Sequence, residues 1–191
     1  MRLFTGIAIP QAVTDRLEKS LAILRPVVAL RWTPVANLHI TSKFIGAWPE
    51  ERLEELQQTL GAVEVPGEMD ITIARFGFYP NPHAPRVFFS GVSAPGFQRL
   101  SRTLDDALEP LGCPREERPF SPHVTLARIG AKTGGDGIGG LRERIASLNN
   151  FEFGGFTATE FHLYLSNTGP EGSVYTRLAG WPLAKKEVLS C

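Results

Sequence analysis

Short apolar runs rich in β-branched and aromatic residues alternate along this chain with longer stretches in which apolar residues recur every three or four positions. Runs of the first kind predict strands, and stretches of the second kind predict amphipathic helices. The predicted strands are 3–9, 30–32, 37–45, 71–78, 87–92, 123–129, 157–166 and 174–178, and the predicted helices are 11–24, 49–60, 97–111 and 141–148.

Two of the predicted strands contain the same short motif. His39 and Thr41 lie in LHITSKFIG, and His123 and Thr125 lie in PHVTLARIG. Since side chains two apart in a strand share a face, each motif presents one imidazole and one hydroxyl together. Two such strands side by side would place both pairs around one cleft. That set suits phosphoryl chemistry, with one imidazole as acid, the other as base, and hydroxyls that hold phosphate oxygens.

A single histidine in a strand is more often a core or capping residue than a catalytic one. The matched pair of motifs favours a shared site instead. A helix precedes each motif strand and another follows it, so the order of elements predicts a weak duplication. We therefore expect an α+β fold of one bilobal domain over residues 1–191. Two antiparallel sheets would flank a central cleft, with helices on the outer faces.

Composition narrows the possible partners. The chain has 191 residues and a formal net charge of zero, so no global field draws it to nucleic acid or to an anionic membrane. No apolar run is long enough to span a bilayer, and we expect no membrane association. The two cysteines, Cys113 and Cys191, are too few for a disulfide framework, which favours a cytoplasmic protein. No obligate protein partner is evident.

The motifs, together with FYPNPHAPRVFF, RPFSPHVTLAR and GSVYTRL, make the chain resemble the 2H phosphoesterase superfamily. Within it, the chain looks most like the RNA 2′,3′-cyclic phosphodiesterases, also called 2′-5′ RNA ligases. The resemblance implies a bilobal fold and opening of a 2′,3′-cyclic phosphate to a 2′-phosphate without a metal or other cofactor. RNA 3′ ends or small cyclic nucleotides would be the substrates.

The resemblance also implies a role for each motif residue. His39 would be the general acid that protonates the 3′ leaving oxygen, and His123 the base that activates water. Thr41 and Thr125 would bind phosphate oxygens. The sequence alone supports the pair of histidines but not this division of labour.

Three further residues are candidates for substrate contact. Strand alternation places Lys43 on the face of the first motif, where it would extend phosphate contact unless it is a solvated rim lysine. Alternation sends Arg128 to the opposite face, but we expect the strand to end or bulge there, and the resemblance implies an arginine near the phosphate. Tyr175, like Arg86, is a candidate for the nucleotide rim or for packing.

Other aromatic and histidine residues have plainer interpretations. Phe4, Phe76 and Phe120 could stack on a base, but aromatics in strands are more often core residues. His83 lies in a proline-rich turn and is expected in solvent, whereas His162 is expected to be structural. Ser42, where the family often has an aliphatic residue, is expected to share the inward face with Ile40 and Phe44.

Three alternatives remain open at this stage. Two histidines could coordinate zinc, but catalytic zinc needs three protein ligands and no such ligand pattern appears. A non-catalytic binder could grip a nucleotide phosphate, although a binder has no need of a matched acid and base. The same chemistry could also serve ligation or cleavage of 2′-5′ phosphodiester bonds.

Overall fold

The fold comprises nine strands and four α-helices in the residues that the computed structural model describes, namely 1–117, 120–130, 133, 136–148, 152–169 and 172–183. The strands are β1 Arg2–Ala8, β2 Arg31–Trp32, β3 His39–Ala47, β4 Met69–Tyr79, β5 Val87–Ser93, β6 His123–Arg128, β7 Glu152–Ala158, β8 Glu160–Gly169 and β9 Gly172–Pro182. The helices are α1 Gln11–Leu24, α2 Leu53–Ala62, α3 Phe97–Leu108 and α4 Gly139–Ser147.

Helix α1 has the bounds predicted from its apolar spacing. Its buried positions include Val13, Leu17, Leu21 and Leu24, which form one face of the helix. Pro10 precedes the helix and suits its start, because the first amide groups of a helix need no intrahelical partner. Helix α1 packs on β7, and α3 packs on β3. Within the described ranges, no helix is both long and apolar enough to cross a membrane.

All strand pairs are antiparallel, in the order β7-β4-β5-β6-β3-β1-β8-β9, with β2 added beside β6. The sheet consists of two four-stranded halves, β7-β4-β5-β6 and β3-β1-β8-β9, which confirms the predicted α+β fold with two antiparallel halves. The halves are joined edge to edge, because β3 and β6 pair at Ile40 and Val124. Both residues are fully buried.

Strand β7 was not predicted as a separate strand. The sequence pattern predicts one strand over 157–166, whereas the structure has β7 and β8 separated at Thr159. Glycines weaken a strand pattern, and Gly154 and Gly155 stand in the middle of β7. Pairing with β4, from Met69 opposite Ala158 onward, stabilises this edge strand.

The first motif strand contains a β-bulge directly after its threonine. Gly6 of β1 pairs with Thr41, and the next β1 residue, Thr5, pairs with Lys43, so Ser42 is the extra residue. Ser42 is buried, as predicted, and its hydroxyl shares a hydrogen bond of 2.8 Å with that of Thr5. The bulge reverses the alternation of faces beyond it.

The second motif strand has a bulge at the equivalent position. Thr125 pairs with Phe89 and Ala127 pairs with Phe88, so Leu126 is the extra residue. The two motif strands therefore show the same burial sequence from the histidine onward: half-buried, buried, half-buried, buried, buried, exposed. The likeness extends beyond the three motif residues to the backbone geometry that follows them.

The bulge corrects the prediction for Lys43. This lysine does not share the face of His39 and Thr41; it is only 4% exposed. Its Nζ lies 2.5 Å from Oδ1 of Asp105 on α3 and donates to the carbonyl of Pro114, also at 2.5 Å. Phe44 was likewise misplaced, because it stands on the opposite face from Ser42 and is 59% exposed. Strict alternation failed at both positions because one extra residue shifts the pleat.

We expect Asp105→Ala to destabilise the protein by about 3–5 kcal/mol, because it leaves the buried Lys43 ammonium without its carboxylate. Urea unfolding measures the change. Asp106→Ala is the matched control: Asp106 is the exposed neighbour that pairs with Arg115, and its loss should cost less than about 1 kcal/mol. Equal losses in the free energy of unfolding for the two variants would show that the buried ion pair stabilises the protein no more than the exposed one does.

Candidate active site

The two motifs meet in an antiparallel register that places their functional side chains together. Ile40 lies opposite Val124, so position 39 stands opposite 125 and position 41 opposite 123. Each imidazole is therefore beside the threonine of the other motif. We call the side of the sheet that carries these four side chains the cleft face, and the side that carries Ile40 and Val124 the helix face.

Both imidazoles are oriented by the same backbone contact. Nδ1 of His39 donates to the carbonyl of Asn37 at 2.7 Å, and Nδ1 of His123 donates to the carbonyl of Ser121 at 2.9 Å. Because a carbonyl only accepts, Nδ1 carries a proton in both rings, and Nε2 is the atom that gains or loses one. When His39 is neutral, the Thr41 hydroxyl donates to its Nε2 across 3.0 Å.

The environment of His39 favours the neutral imidazole. Burial lowers the pKa of His39 below its ordinary value, the hydrogen bond to Asn37 raises it, and the nearby His123 lowers it again. His123 is thus close enough to His39 to influence the protonation of His39.

Aromatic rings surround His39 on the cleft face. The ring centroid of Phe4 lies 4.7 Å from that of His39, and Tyr175 meets His39 edge-on at 5.2 Å. Tyr164 stacks on Phe4 at 5.1 Å and lies 6.1 Å from His39. The structure therefore brings the predicted residue Tyr175 to the first histidine. Tyr164 was not singled out in the sequence because it stands in an apolar strand without a distinguishing motif.

Among the described residues, one aromatic ring packs against the second histidine. Phe89 packs edge-on against His123, with centroids 5.5 Å apart. The space for the Phe89 ring depends on Gly77 of β4, where an added Cβ would lie 2.4 Å from the ring. The two halves thus hold their histidines in different surroundings, aromatic and enclosed for His39, more open for His123.

A cavity of about 380 Å³ opens beside His39. Tyr164 and Tyr175 provide aromatic walls, and Gln11 and Asn37 provide polar ones. The amide of Asn37 is itself held, because it donates to the carbonyl of Ser173. A separate cavity of about 280 Å³ lies along α3, at Gln98, Ser101, Arg102 and Asp105, and includes neither motif histidine. Of these two cavities, the one at His39 adjoins a motif histidine.

Arg128 lies on the cleft face, as a bulge near this position was expected to allow. The extra residue Leu126 returns Arg128 to the side of Thr125, and the arginine is exposed there. Its cross-strand neighbours are Arg31 of β2 and Val87 of β5. Arg31 was not identified from the sequence, because only the pairing of β2 with β6 brings it beside the motif strand.

The remaining candidates lie elsewhere. Phe76 packs against Phe88 and Phe153, and Phe120 stacks on Phe97 with nearly parallel rings, so both belong to the core. Arg86 is exposed, and its backbone bonds to Tyr79 and Ile129 at the end of β6.

The other two histidines differ in burial. His83 is exposed in its turn. His162 is only 1% exposed and lies opposite Gly6 of β1. Its Nε2 is 3.0 Å from Oε1 of Glu160, and burial lowers the pKa of the imidazole. In the described ranges, no group of three or more His, Cys, Asp or Glu side chains is arranged to hold a metal ion.

Comparison with known proteins identifies the class that this fold and site define. A family described as LigT-like phosphoesterase matches the chain twice, over residues 7–89 and 92–175. Each matched stretch contains one His-X-Thr motif, as a duplicated fold requires. The chain therefore belongs to the LigT-like phosphoesterases, which confirms the resemblance to the 2H phosphoesterase superfamily.

Several relatives have a more specific name. A protein of Methanothermobacter thermautotrophicus named RNA 2′,3′-cyclic phosphodiesterase is 31% identical over 182 residues, 92% of this chain and 95% of the relative. One of the same name from Thermus thermophilus is 34% identical over 137 residues, 67% of this chain and 68% of the relative.

Solved structures share the fold across nearly the whole chain. A crystal structure of a Thermus thermophilus protein has a TM-score of 0.77 at 30% identity and covers 97% of this chain and 100% of its own. Escherichia coli LigT complexed with 3′-AMP has a TM-score of 0.77 at 25% identity, and the match covers 96% of this chain and 98% of the LigT chain.

We expect His123→Asn to raise the pKa of His39, because it removes the nearby imidazole whose positive charge disfavours protonation of His39. Titration of the ring resonances by NMR measures this pKa directly. His83→Asn is the control, since His83 lies exposed in a distant turn and should leave His39 unchanged. An unchanged His39 titration in His123→Asn would mean that the two rings do not interact.

Proposed function

We propose that this protein hydrolyses 2′,3′-cyclic phosphates at RNA 3′ ends or on small nucleotides to 2′-phosphates. The observation that carries the proposal is the antiparallel meeting of the two His-X-Thr motifs, each imidazole fixed through Nδ1 to a backbone carbonyl. Relatives named RNA 2′,3′-cyclic phosphodiesterase support the same reaction.

The pseudo-twofold arrangement suits in-line displacement at phosphorus. A phosphate bound over the pairing of Ile40 with Val124 would have one imidazole on either side. In-line attack places the entering and leaving oxygens on opposite sides of phosphorus. A base on one side can deprotonate the entering water, and an acid on the other side can protonate the leaving oxygen.

In the proposed reaction, His123 takes a proton from water through Nε2 while the water oxygen attacks phosphorus. The bond from phosphorus to the 3′ oxygen breaks, and His39 delivers its Nε2 proton to that oxygen. Thr41 and Thr125 donate hydrogen bonds to the non-bridging oxygens, and the Arg128 guanidinium offsets their negative charge. The product is a 2′-phosphate monoester with a free 3′ hydroxyl.

The role of His39 as acid depends on the substrate's charge. The neutral form is favoured in the free protein, since burial lowers the pKa of His39. A bound phosphate anion would raise that pKa again, because a nearby negative charge stabilises the imidazolium. Substrate binding would thus charge the acid only when there is a leaving group to protonate.

The cavity beside His39 supports a nucleoside substrate. Its volume of about 380 Å³ is within the range of ligand pockets, roughly 300–1,000 Å³. Tyr164 and Tyr175 offer rings on which a base could stack, while Asn37 and Gln11 offer polar groups for base or sugar. We assign Tyr175 to the substrate on this ground and withdraw Lys43, which Asp105 holds on the helix face.

The proposal needs no metal, cofactor or protein partner. The acid, the base and the groups that stabilise charge are all side chains of this chain. A cytoplasmic location, where RNA ends of this kind would be met, stays the expected compartment.

We expect the purified protein to convert an oligonucleotide ending in a 2′,3′-cyclic phosphate to a 2′-phosphate product, with full activity in EDTA. Chromatography against 2′- and 3′-phosphate standards locates the product phosphate. His39→Gln should lower turnover on the order of 10²–10⁴-fold, since it removes a positioned acid. A 3′-phosphate product would reassign the leaving oxygen, and activity lost in EDTA but restored by one divalent ion would contradict the metal-free reaction.

We expect kcat/KM to follow a bell-shaped dependence on pH. The base must be neutral, so activity falls on the acidic side, and the acid must be protonated, so activity falls on the alkaline side. Because burial lowers the pKa of free His39 and a bound anion raises it, the limb that reports His39 should lie at lower pH in kcat/KM than in kcat, which reports the anion-bound enzyme.

Variants assign the limbs of this profile. The residual activity of His39→Gln should lack the alkaline limb, and that of His123→Gln the acidic one. The reverse assignment would exchange the two roles. A profile that rises to a plateau at alkaline pH in the wild type would indicate hydroxide attack without a protein base.

A further inference from the structure

Two arginines of the cleft face stand directly opposite each other. Arg31 of β2 pairs with Arg128 of β6 in an antiparallel register, so their side chains project to the same side. The next pair, Trp32 with Ala127, projects to the helix face, where the Trp32 ring meets the buried Phe88 at 5.9 Å. This packing holds β2 in place and leaves Arg31 exposed over the cleft.

Like charges directly opposite in a sheet repel and destabilise it. A nearby carboxylate can offset such repulsion, and Arg115 shows that arrangement with Asp106 and Glu109. Within the part of the chain that the structure describes, neither Arg31 nor Arg128 has an ion pair or a side-chain hydrogen bond. Two guanidinium groups without a carboxylate partner are suited to an anionic ligand, because a guanidinium group can donate two parallel hydrogen bonds to phosphate oxygens.

The arginine pair adjoins the reaction centre. Arg128 is the first residue after Thr125 to point into the cleft, at a distance along the strand on the order of 7–10 Å. Arg31 is one strand further, roughly 5 Å beyond Arg128. Arg128 can therefore reach the phosphate held by the motifs, while Arg31 lies at the next position outward.

The charge of the substrate decides what Arg31 can bind. A 2′,3′-cyclic phosphate is a diester with a single negative charge, which one guanidinium offsets. A second cation at a further distance calls for a second anion. An RNA end supplies one, the phosphodiester that links the terminal nucleotide to its 5′ neighbour, whereas a cyclic mononucleotide has none.

The two motif strands differ at the fifth residue after the histidine, so the two sides of the cleft are chemically different. Five residues after His123 stands Arg128, but five residues after His39 stands the exposed Phe44. One flank of the cleft is thus cationic and the other aromatic. A polyanionic chain would leave the site over the cationic flank, along β6 and β2.

We propose that Arg31, held beside Arg128, binds the internucleotide phosphodiester on the 5′ side of the terminal nucleotide and makes the enzyme prefer RNA ends to cyclic mononucleotides. This inference rests on the proposed function, since it assigns a second phosphate position to the same cleft.

The test compares two substrates that differ by that phosphate, adenosine 2′,3′-cyclic phosphate and the dinucleotide ApA with a 2′,3′-cyclic phosphate end. Wild-type protein should have the higher kcat/KM for the dinucleotide, and Arg31→Ala should reduce the ratio of the two values about tenfold. Arg31→Lys should retain part of the preference because it keeps the charge. Arg99→Ala, which removes an exposed arginine from α3, is the matched control and should leave the ratio unchanged.

A third substrate separates the effect of charge from that of base stacking. Adenosine 2′,3′-cyclic phosphate with a 5′-phosphate has the anion but no second base, and it should recover most of the preference in the wild type and none in Arg31→Ala. An equal loss on all substrates in Arg31→Ala would mean a structural role or contact with the cyclic phosphate itself. A wild type without preference for the dinucleotide would overturn the inference and leave the proposed function standing.

Binding provides a readout that is independent of turnover. For a labelled oligonucleotide with a 2′-phosphate end, the slope of log Kd against log salt concentration should fall by about 0.7 in Arg31→Ala, the value for one phosphate contact on a single strand. If the protein opened no cyclic phosphate, a slope changed only by Arg31→Ala and not by Arg99→Ala would still support the phosphodiester site. An unchanged slope would overturn it.

Discussion

The short pairing between β3 and β6 at Ile40 and Val124 is the contact on which the site depends. It joins the two halves of the sheet edge to edge and buries both residues completely. Because the strands run antiparallel, this one pair determines that each motif histidine stands beside the threonine of the other motif. A shift of either strand by one residue would turn the histidine and threonine of that strand to the helix face, so the buried pair determines the register and the geometry of the candidate site together.

A bulge after each threonine then decides what surrounds the site. The extra residue Leu126 turns Arg128 into the cleft and Ala127 away from it, and the extra residue Ser42 turns Lys43 away from it. One bulge thus yields a buried ion pair between β3 and α3 and the other an exposed cation next to the reacting centre. The two equivalent bulges orient equivalent positions alike, and the different residue types at those positions make the two strands chemically different.

The two halves repeat the backbone but not the environment. Both imidazoles are held through Nδ1 by a carbonyl two residues earlier, so both present Nε2. Burial lowers the pKa of His39, which aromatic rings surround, while the ring of Phe89 packs beside His123. A symmetric fold thereby holds two identical groups in different surroundings, which acid and base roles in one reaction require.

Local patterns in the sequence were enough to predict the helices, most of the strands, the α+β class and the position of both His-X-Thr motifs in strands, because apolar spacing and the repeat are short-range properties. They were not enough for β7, which forms through pairing with β4, or for Lys43, whose direction depends on a bulge. Arg31 and Tyr164 join the site only through strand pairing across the sheet. The sequence alone determined which chemistry the chain contains. Only the tertiary structure decided which side chains face it, since register and bulges arise between strands that lie far apart in the chain.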